Sequence, residues 1–312
     1  MIFLSRMLAI TRGHRGLLSI AVVGSVLYTA LSILPALIIR QMLTALAHQS
    51  PAATLVWLGL AMVGATALMA VSRYLEGGFG HIAAAVEEVV ESGADRMIAI
   101  VLAPHYSTIS TEGYRRRIAA ALATARGRTT PNGSATPLSL DFVESWNELD
   151  GYLEAVAENV RRVRAEFAHP EDVVAVFTAH SLPARILMEG DPYQDQLLRT
   201  SELVARRAGI EQWRFSYQSQ SQTGEPWLGP DLVDTVEELA AQGHRAILVA
   251  SVGFIADHLE IFYDIDIEAK EKADALGIEL RRTPMLNADP RLAQALHALV
   301  AQRVTAASAV PS

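Results

Sequence analysis

Residues 249–270 read VASVGFIADHLEIFYDIDIEAK. The stretch opens as the end of an apolar run, passes the turn-like Ser251-Val252-Gly253, and continues into a segment in which Glu260, Asp264 and Glu268 recur every fourth residue. In a helix that spacing sets the three carboxylates on one face. Like charges so placed repel by roughly 0.2–0.5 kcal/mol per pair, a cost that solvent makes bearable, so an ordinary acidic surface is one reading. The other is a ligand site, because the row follows directly from a strand, where open α/β sheets bind ligands. Asp257-His258-Leu259-Glu260 also gathers acids and an imidazole in the first turn. Oxygen ligands with one imidazole suit a divalent cation of intermediate hardness, held loosely enough to pass on.

On either side, short apolar runs alternate with helical periodicity. Strands are expected at 97–103, 173–177, 213–217 and 246–249, and helices at 83–92, from Tyr114, and at 152–167, 191–208, 232–242 and 290–304. The alternation predicts a parallel α/β sheet across 173–275 with helices on both faces. Two strands run out into polar groups: Pro104-His105-Tyr106-Ser107-Thr108, and Thr178-Ala179-His180-Ser181-Leu182-Pro183. A histidine at a strand exit with a proline close behind is presented rather than packed, although a hydrogen-bonded loop histidine fits His105 equally well. Asp231 fits an N-cap for the helix that follows it. Arg115-Arg116-Arg117 point around their helix and suit solvent. Residues 126–137 form a loop marked by Asn132-Gly133.

The chain has 312 residues, 26 basic and 34 acidic, for a net charge of −8, which argues against a nucleic-acid partner. It has no cysteine. Disulfides, cysteine nucleophiles and Cys-ligated iron–sulfur clusters are therefore excluded. Residues 16–39 carry no charge, and 52–71 form a second apolar run that ends before Arg73. At 1.5 Å per residue, either run is long enough for a hydrocarbon core of about 30 Å. Arg6, Arg12 and Arg15 precede the first run and no acid occurs before Glu76, so the N-terminus and everything after Arg73 are expected on the cytoplasmic side. The expectation is a two-helix transmembrane-like hairpin within 1–76.

The opening, from Leu4 to Gly80, resembles the start of an ATP-binding-cassette exporter transmembrane domain in its basic lead, the Pro35 region followed by Arg40-Gln41-Met42, and the Arg73-Tyr74-Leu75 exit. No G-x-x-x-x-G-K-[ST] phosphate loop follows. From about His81 to Arg303 a different resemblance takes over. Thr178-Ala179-His180-Ser181-Leu182-Pro183, Asp191-Pro192-Tyr193, Tyr217-Gln218-Ser219, Pro226-Trp227-Leu228-Gly229-Pro230-Asp231 and Gly253-Phe254 with Asp257-His258-Leu259-Glu260 stand in the order of the ferrochelatases. Leu102-Ala103-Pro104-His105-Tyr106-Ser107 is similar to the monofunctional bacterial, coproporphyrin-type members.

That resemblance implies a chelatase-type, Rossmann-like three-layer α/β sandwich and insertion of Fe2+, as substrate, into a porphyrin during heme biosynthesis, with coproporphyrin III favoured over protoporphyrin IX. It implies His180 and Glu260 as catalytic and metal-binding residues, and Asp264 and Glu268 as a metal or proton relay. His105, Tyr106, Tyr193, Gln218, Ser219, Trp227, Asp257 and His258 become candidate porphyrin-cleft residues, and no iron–sulfur cluster is expected. The family's N-terminal strand and glycine loop have no counterpart here. The expected layout is therefore the hairpin at 1–76, an incomplete first lobe at 81–168, a second lobe at 173–275, and a segment at 276–312 that packs back on the first lobe. A cytoplasmic catalytic portion tethered to the inner membrane, with heme-pathway proteins as partners, completes the expectation. The alternatives are a weak or inactive membrane-tethered porphyrin- or metal-binding remnant and, further off, a transporter fragment.

Overall fold

The computed structural model describes residues 81–126, 138–221 and 224–308, together with the helical positions Thr54, Leu58 and Ala61. Apart from those three positions, the expected hairpin and the exporter-like opening lie outside the described residues, as does nearly all of the 126–137 loop. Among the described residues no helix is long and apolar enough to cross a membrane.

The chain divides into two compact units, 1–93 with 118–135, and 94–117 with 136–312. In the first, helix α1 (His81–Glu91) buries Val86. Helix α2 (Thr111–Arg126) begins in the second unit and ends in the first, where Leu122 and Ala125 are buried.

The second unit is built on a four-stranded, wholly parallel sheet. Its strands are β3 (Val174–His180), β4 (Trp213–Gln218), β5 (Ala246–Ser251) and β6 (Glu279–Arg282), in the order β4-β3-β5-β6. β3 lies inside the sheet, and a parallel strand covered on both faces reads as a continuous buried run, here VAVFTA. Alternation sends Ala175, Phe177 and Ala179 into one core with α3 (Asp150–Arg164), α4 (Tyr193–Ala208) and α8 (Pro290–Ser308). Val174 and Val176 enter the other core with α5 (Leu232–Ala241), α6 (Leu259–Tyr263) and α7 (Lys270–Ala275). The predicted parallel sheet with helices on both faces is therefore present. As expected, Asp231 caps α5, its Oδ1 accepting from the Val233 N–H at 2.8 Å.

Two strands escaped the sequence reading. β2 (Ser139–Val143) pairs in parallel with β1 (Arg96–Ile100) in a separate two-stranded sheet, and β6 closes the edge of the main one. Both are short and carry charges, SLDFV and ELRR, so neither shows the apolar run that marks a buried strand.

The acidic stretch departs from the single regular helix expected of it. α6 gives way to a π-helical turn over Asp264–Ala269 before α7 resumes. Ile261, Ile265, Ala269 and Ala273 are all fully buried in one core at strict four-residue spacing. On a regular α-helix such a stripe drifts by about 40° per step, so holding it against the sheet requires a wider turn. The π turn supplies that turn and keeps the carboxylates at the same spacing beside the stripe.

Candidate active site

Strand order determines where a ligand can sit. The connection from β3 leads through α4 to one face of the sheet, whereas the one from β5 leads through α6 and α7 to the other. β3 and β5 are neighbours, so their carboxyl ends open a crevice at a topological switch point. His180 ends β3, and the segment after β5 carries Phe254, His258 and Glu260. The crevice is a cleft of about 510 Å³, within the range of ligand pockets. Leu102, His105, Leu182, Tyr193 and Phe254 are among its walls.

The descent from β5 is tight. The amides of Val252 and Gly253 both donate to the Thr178 carbonyl, and a Cβ on Gly253 would stand 2.5 Å from that of Ala179. Only glycine lets the backbone pass this close to β3. Phe254 then inserts beside both imidazoles, its ring centroid 6.4 Å from that of His180 and 4.4 Å from that of His258.

Two imidazoles converge on one carboxylate. Oε2 of Glu260 lies 3.6 Å from Nε2 of His180 and 3.6 Å from Nε2 of His258. Nδ1 of His180 meets the Ser181 carbonyl at 2.5 Å and Nδ1 of His258 the Ala256 carbonyl at 3.2 Å. A carbonyl accepts, so each Nδ1 carries a hydrogen, and in a neutral ring it is Nε2 that offers a lone pair toward Glu260. A separation of 3.6 Å is too long for a hydrogen bond. Within each His–Glu pair it is close to the ~3.4 Å between two ligands bound at ~2.1 Å with a tetrahedral angle at one ion, but the three side chains do not form a group whose ligand atoms all lie within 4.8 Å of one another. All three side chains are part-exposed, at 30% for His180, 35% for His258 and 49% for Glu260, and so open to a ligand.

Further along, the hydroxyl of Ser219, at a left-handed φ of 61°, donates to Asp264. Desolvation, with the charges of Asp264 and Asp231, raises the Glu268 carboxyl above the usual range. Desolvation likewise raises Asp231, with Asp234 and Asp264 adding to it. These carboxyls hold protons more readily than ordinary surface acids.

Of the residues picked from sequence, His105, His180, Tyr193, Asp257 and His258 line the cleft. His105 is buried, which drives its imidazole down to about 3, and its Nε2 lies 2.9 Å from the Thr200 hydroxyl. Tyr193 donates to the His180 carbonyl at 3.1 Å, and burial raises its phenol. Glu260, Asp264, Glu268, Tyr106, Gln218, Ser219 and Trp227 are not among the lining residues, and Glu260 reaches the cleft only through the two imidazoles it faces. The Tyr106 hydroxyl donates to Glu112, Gln218 is buried in register with His180, and Trp227 bridges to Pro183. Asn287 and Arg282, which hold the Asp257 segment, gave no signal in the sequence, because each lies far along the chain from what it holds. The triad His169, Glu171 and Asp172, whose ligand atoms lie within 4.8 Å of one another, is exposed and precedes β3 at the opposite end of the sheet.

The sequence model of the ferrochelatase family matches residues 73–304. This chain belongs to the ferrochelatase family. Its relatives include the ferrochelatase of Herpetosiphon aurantiacus, 42% identical over 217 residues, which are 69% of this chain and 68% of that protein. The ferrochelatase of Deinococcus radiodurans is 43% identical over 210 residues, 66% of this chain and 64% of the relative. The coproporphyrin III ferrochelatase of a Geobacillus strain is 36% identical over 234 residues, 73% of this chain and 72% of the relative. The chain thus spans about two thirds of the length of these ferrochelatases, and the match agrees with the region where the sequence motifs occur.

Proposed function

We propose that this chain inserts ferrous iron into a porphyrin, with coproporphyrin III preferred to protoporphyrin IX, and that His180 and Glu260 carry the step. The observation that supports this most is the pair of imidazole Nε2 atoms converging on Glu260, both imidazoles lining an apolar-walled cleft. Metallation exchanges two pyrrole N–H protons for one Fe2+. A neutral His180 can take one such proton at Nε2, or meet the metal there, while its Nδ1–H keeps the ring oriented. Glu260 attracts the cation to the same point, and His258 stands on its other side. Asp264 and Glu268 lead away along the π turn, and the raised Glu268 carboxyl suits it to receiving a proton before release to water.

The preference for coproporphyrin III draws on the names of relatives such as the Geobacillus enzyme. The division into a partial first lobe at 81–168, a second lobe at 173–275 and a returning segment at 276–312 belongs to the same proposal. Close packing of α8 on α3 supports it: a Cβ on Gly151 would lie 2.7 Å from that of Ala295. The apolar runs 16–39 and 52–71 are proposed to tether the chain to a membrane, which carbonate extraction tests directly. Retention in the pellet with authentic spanning proteins is expected, and release refutes the tether.

The functional test is anaerobic titration of the purified chain with Fe2+, following loss of free-porphyrin fluorescence for both porphyrins. Turnover that favours coproporphyrin III and vanishes in His180→Ala is expected. Undiminished turnover in that variant would remove His180 from the mechanism.

A further inference from the structure

The segment that presents His258 and Glu260 is not itself a strand of the sheet. After Ser251 it leaves β5, and regular structure resumes only at Leu259. What fixes it comes from the end of β6 and from the segment just after it. The Asn287 N–H donates to the Ile255 carbonyl at 2.7 Å, its Oδ1 accepts from the Asp257 N–H at 2.9 Å, and its Nδ2 donates to Asp257 Oδ2 at 2.8 Å. Asn287 does this from a left-handed φ of 51°, a conformation asparagine tolerates better than most residues. Arg282 takes the remaining oxygen: its guanidinium donates to Asp257 Oδ1 at 3.0 Å and makes a two-point contact with Asp266 at 2.8 and 2.9 Å. The same guanidinium lies 5.7 Å from the centre of the Phe262 ring and is largely buried, at 13% exposure.

One cation thus joins the loop before Glu260 to α6 and to the π turn that bears Asp264. Both Asp257 oxygens are engaged in this clamp, so its carboxylate serves geometry although it borders the cleft.

We infer that Asn287 and Arg282 are positioning residues for iron insertion: acting through Asp257, they set Glu260 and His258 opposite His180. The inference rests on the proposed metal-insertion site. Partners that orient metal ligands from outside the ligand set are worth about 10- to 100-fold in affinity or activity. A clamp made of hydrogen bonds to one carboxylate also allows a test by exchange of roles, which a merely structural contact would not survive.

The test uses three forms of the full chain: Asn287→Gly, which keeps the left-handed backbone and removes only the side chain; Asn287→Asp, which sets two carboxylates face to face; and the double exchange Asp257→Asn with Asn287→Asp, which restores an amide–carboxylate pair. The expected result for Asn287→Gly is a kcat lowered by about 10- to 100-fold at a nearly unchanged KM for porphyrin. Faster hydrogen exchange confined to 255–260, and a weaker visible band from Co2+ added as a metal probe, should accompany it. Asn287→Asp should be lower still, and the double exchange should regain most of the lost kcat and the exchange protection. The inference is overturned if Asn287→Gly keeps wild-type exchange at 255–260 and wild-type kcat, or if the double exchange is no better than Asn287→Asp. Hydrogen exchange reads the clamp without turnover, so failure of the clamp stays distinct from failure of the chemistry proposed for Glu260.

Discussion

The two ends of the main sheet each carry a cleft of similar size, about 510 Å³ at the carboxyl ends of the strands and about 480 Å³ at the amino ends. Both contain imidazoles and acids, since the amino-end cleft is lined by His169, His244, Asp172 and Glu279. The difference is in how those groups are held. At the carboxyl end, backbone carbonyls fix the His180 and His258 imidazoles, a glycine lets the chain double back, and Asn287 and Arg282 clamp Asp257. At the amino end, His169 and Glu171 stand 3.5 Å apart with 74% and 70% of their side chains exposed, and long polar side chains free in solvent lose entropy on binding. Volume is shared by the two clefts, and the apolar walls of the carboxyl-end cleft together with the preorganisation of its polar groups separate them.

The largest effect that sharpens this contrast comes from removing two imidazoles from each cleft. His180→Ala with His258→Ala should abolish Co2+ binding in the cleft and lower turnover by about 100-fold or more. His169→Ala with His244→Ala should leave turnover at the wild-type level. Next comes Gly253→Ala, whose added Cβ meets Ala179 at 2.5 Å. It should cost about 1–3 kcal/mol in denaturant unfolding and lower kcat by displacing the loop that carries Glu260. Smaller again are Asp264→Asn and Glu268→Gln. Their effect on turnover should be greatest when Fe2+ is limiting, because a relay matters most when metal supply sets the rate.

The smallest effects differ in sign between the two ends. Desolvation, then Asp264 and Asp231, hold the Glu268 carboxyl above its ordinary value, so the folded state keeps a proton that the unfolded state releases. Its ionisation therefore opposes folding above the raised value, and the penalty disappears below the ordinary carboxylate value. Glu268→Gln should raise the melting temperature slightly at neutral pH, with the gain fading on acidification through that window. Glu171 runs the other way, lowered first by its own backbone N–H and also by His169. Its contribution is present above the ordinary value and is lost as pH falls through the lowered one, so Glu171→Gln should slightly lower the neutral-pH melting temperature. Melting curves of the two variants across acidic and neutral pH check both signs.

Much of this arrangement was legible in the sequence because it is local. The buried run of β3, the turn at Gly253 and the N-cap Asp231 each express their role within a few residues, and the motif order located the family. The π turn was not legible, since it follows from where Ile261, Ile265, Ala269 and Ala273 must meet the sheet, and the acids alone suggested a regular helix. β6 was hidden because ELRR reads as a charged surface segment. Those same arginines turn out to serve the fold, with Arg282 gripping Asp257 and Asp266. Asn287 was hidden for the same reason, as its partner lies 30 residues away.

The central claim is that chemistry resides at the carboxyl end, with Glu260 as the residue on which the two imidazoles converge. The most direct measurement compares anaerobic Fe2+ insertion into coproporphyrin III by wild type, Glu260→Gln and Glu171→Gln under identical conditions. Each variant replaces a carboxylate beside a histidine with its isosteric amide, one in each region. The account predicts turnover nearly abolished in Glu260→Gln and unchanged in Glu171→Gln. Equal turnover in wild type and Glu260→Gln would contradict it.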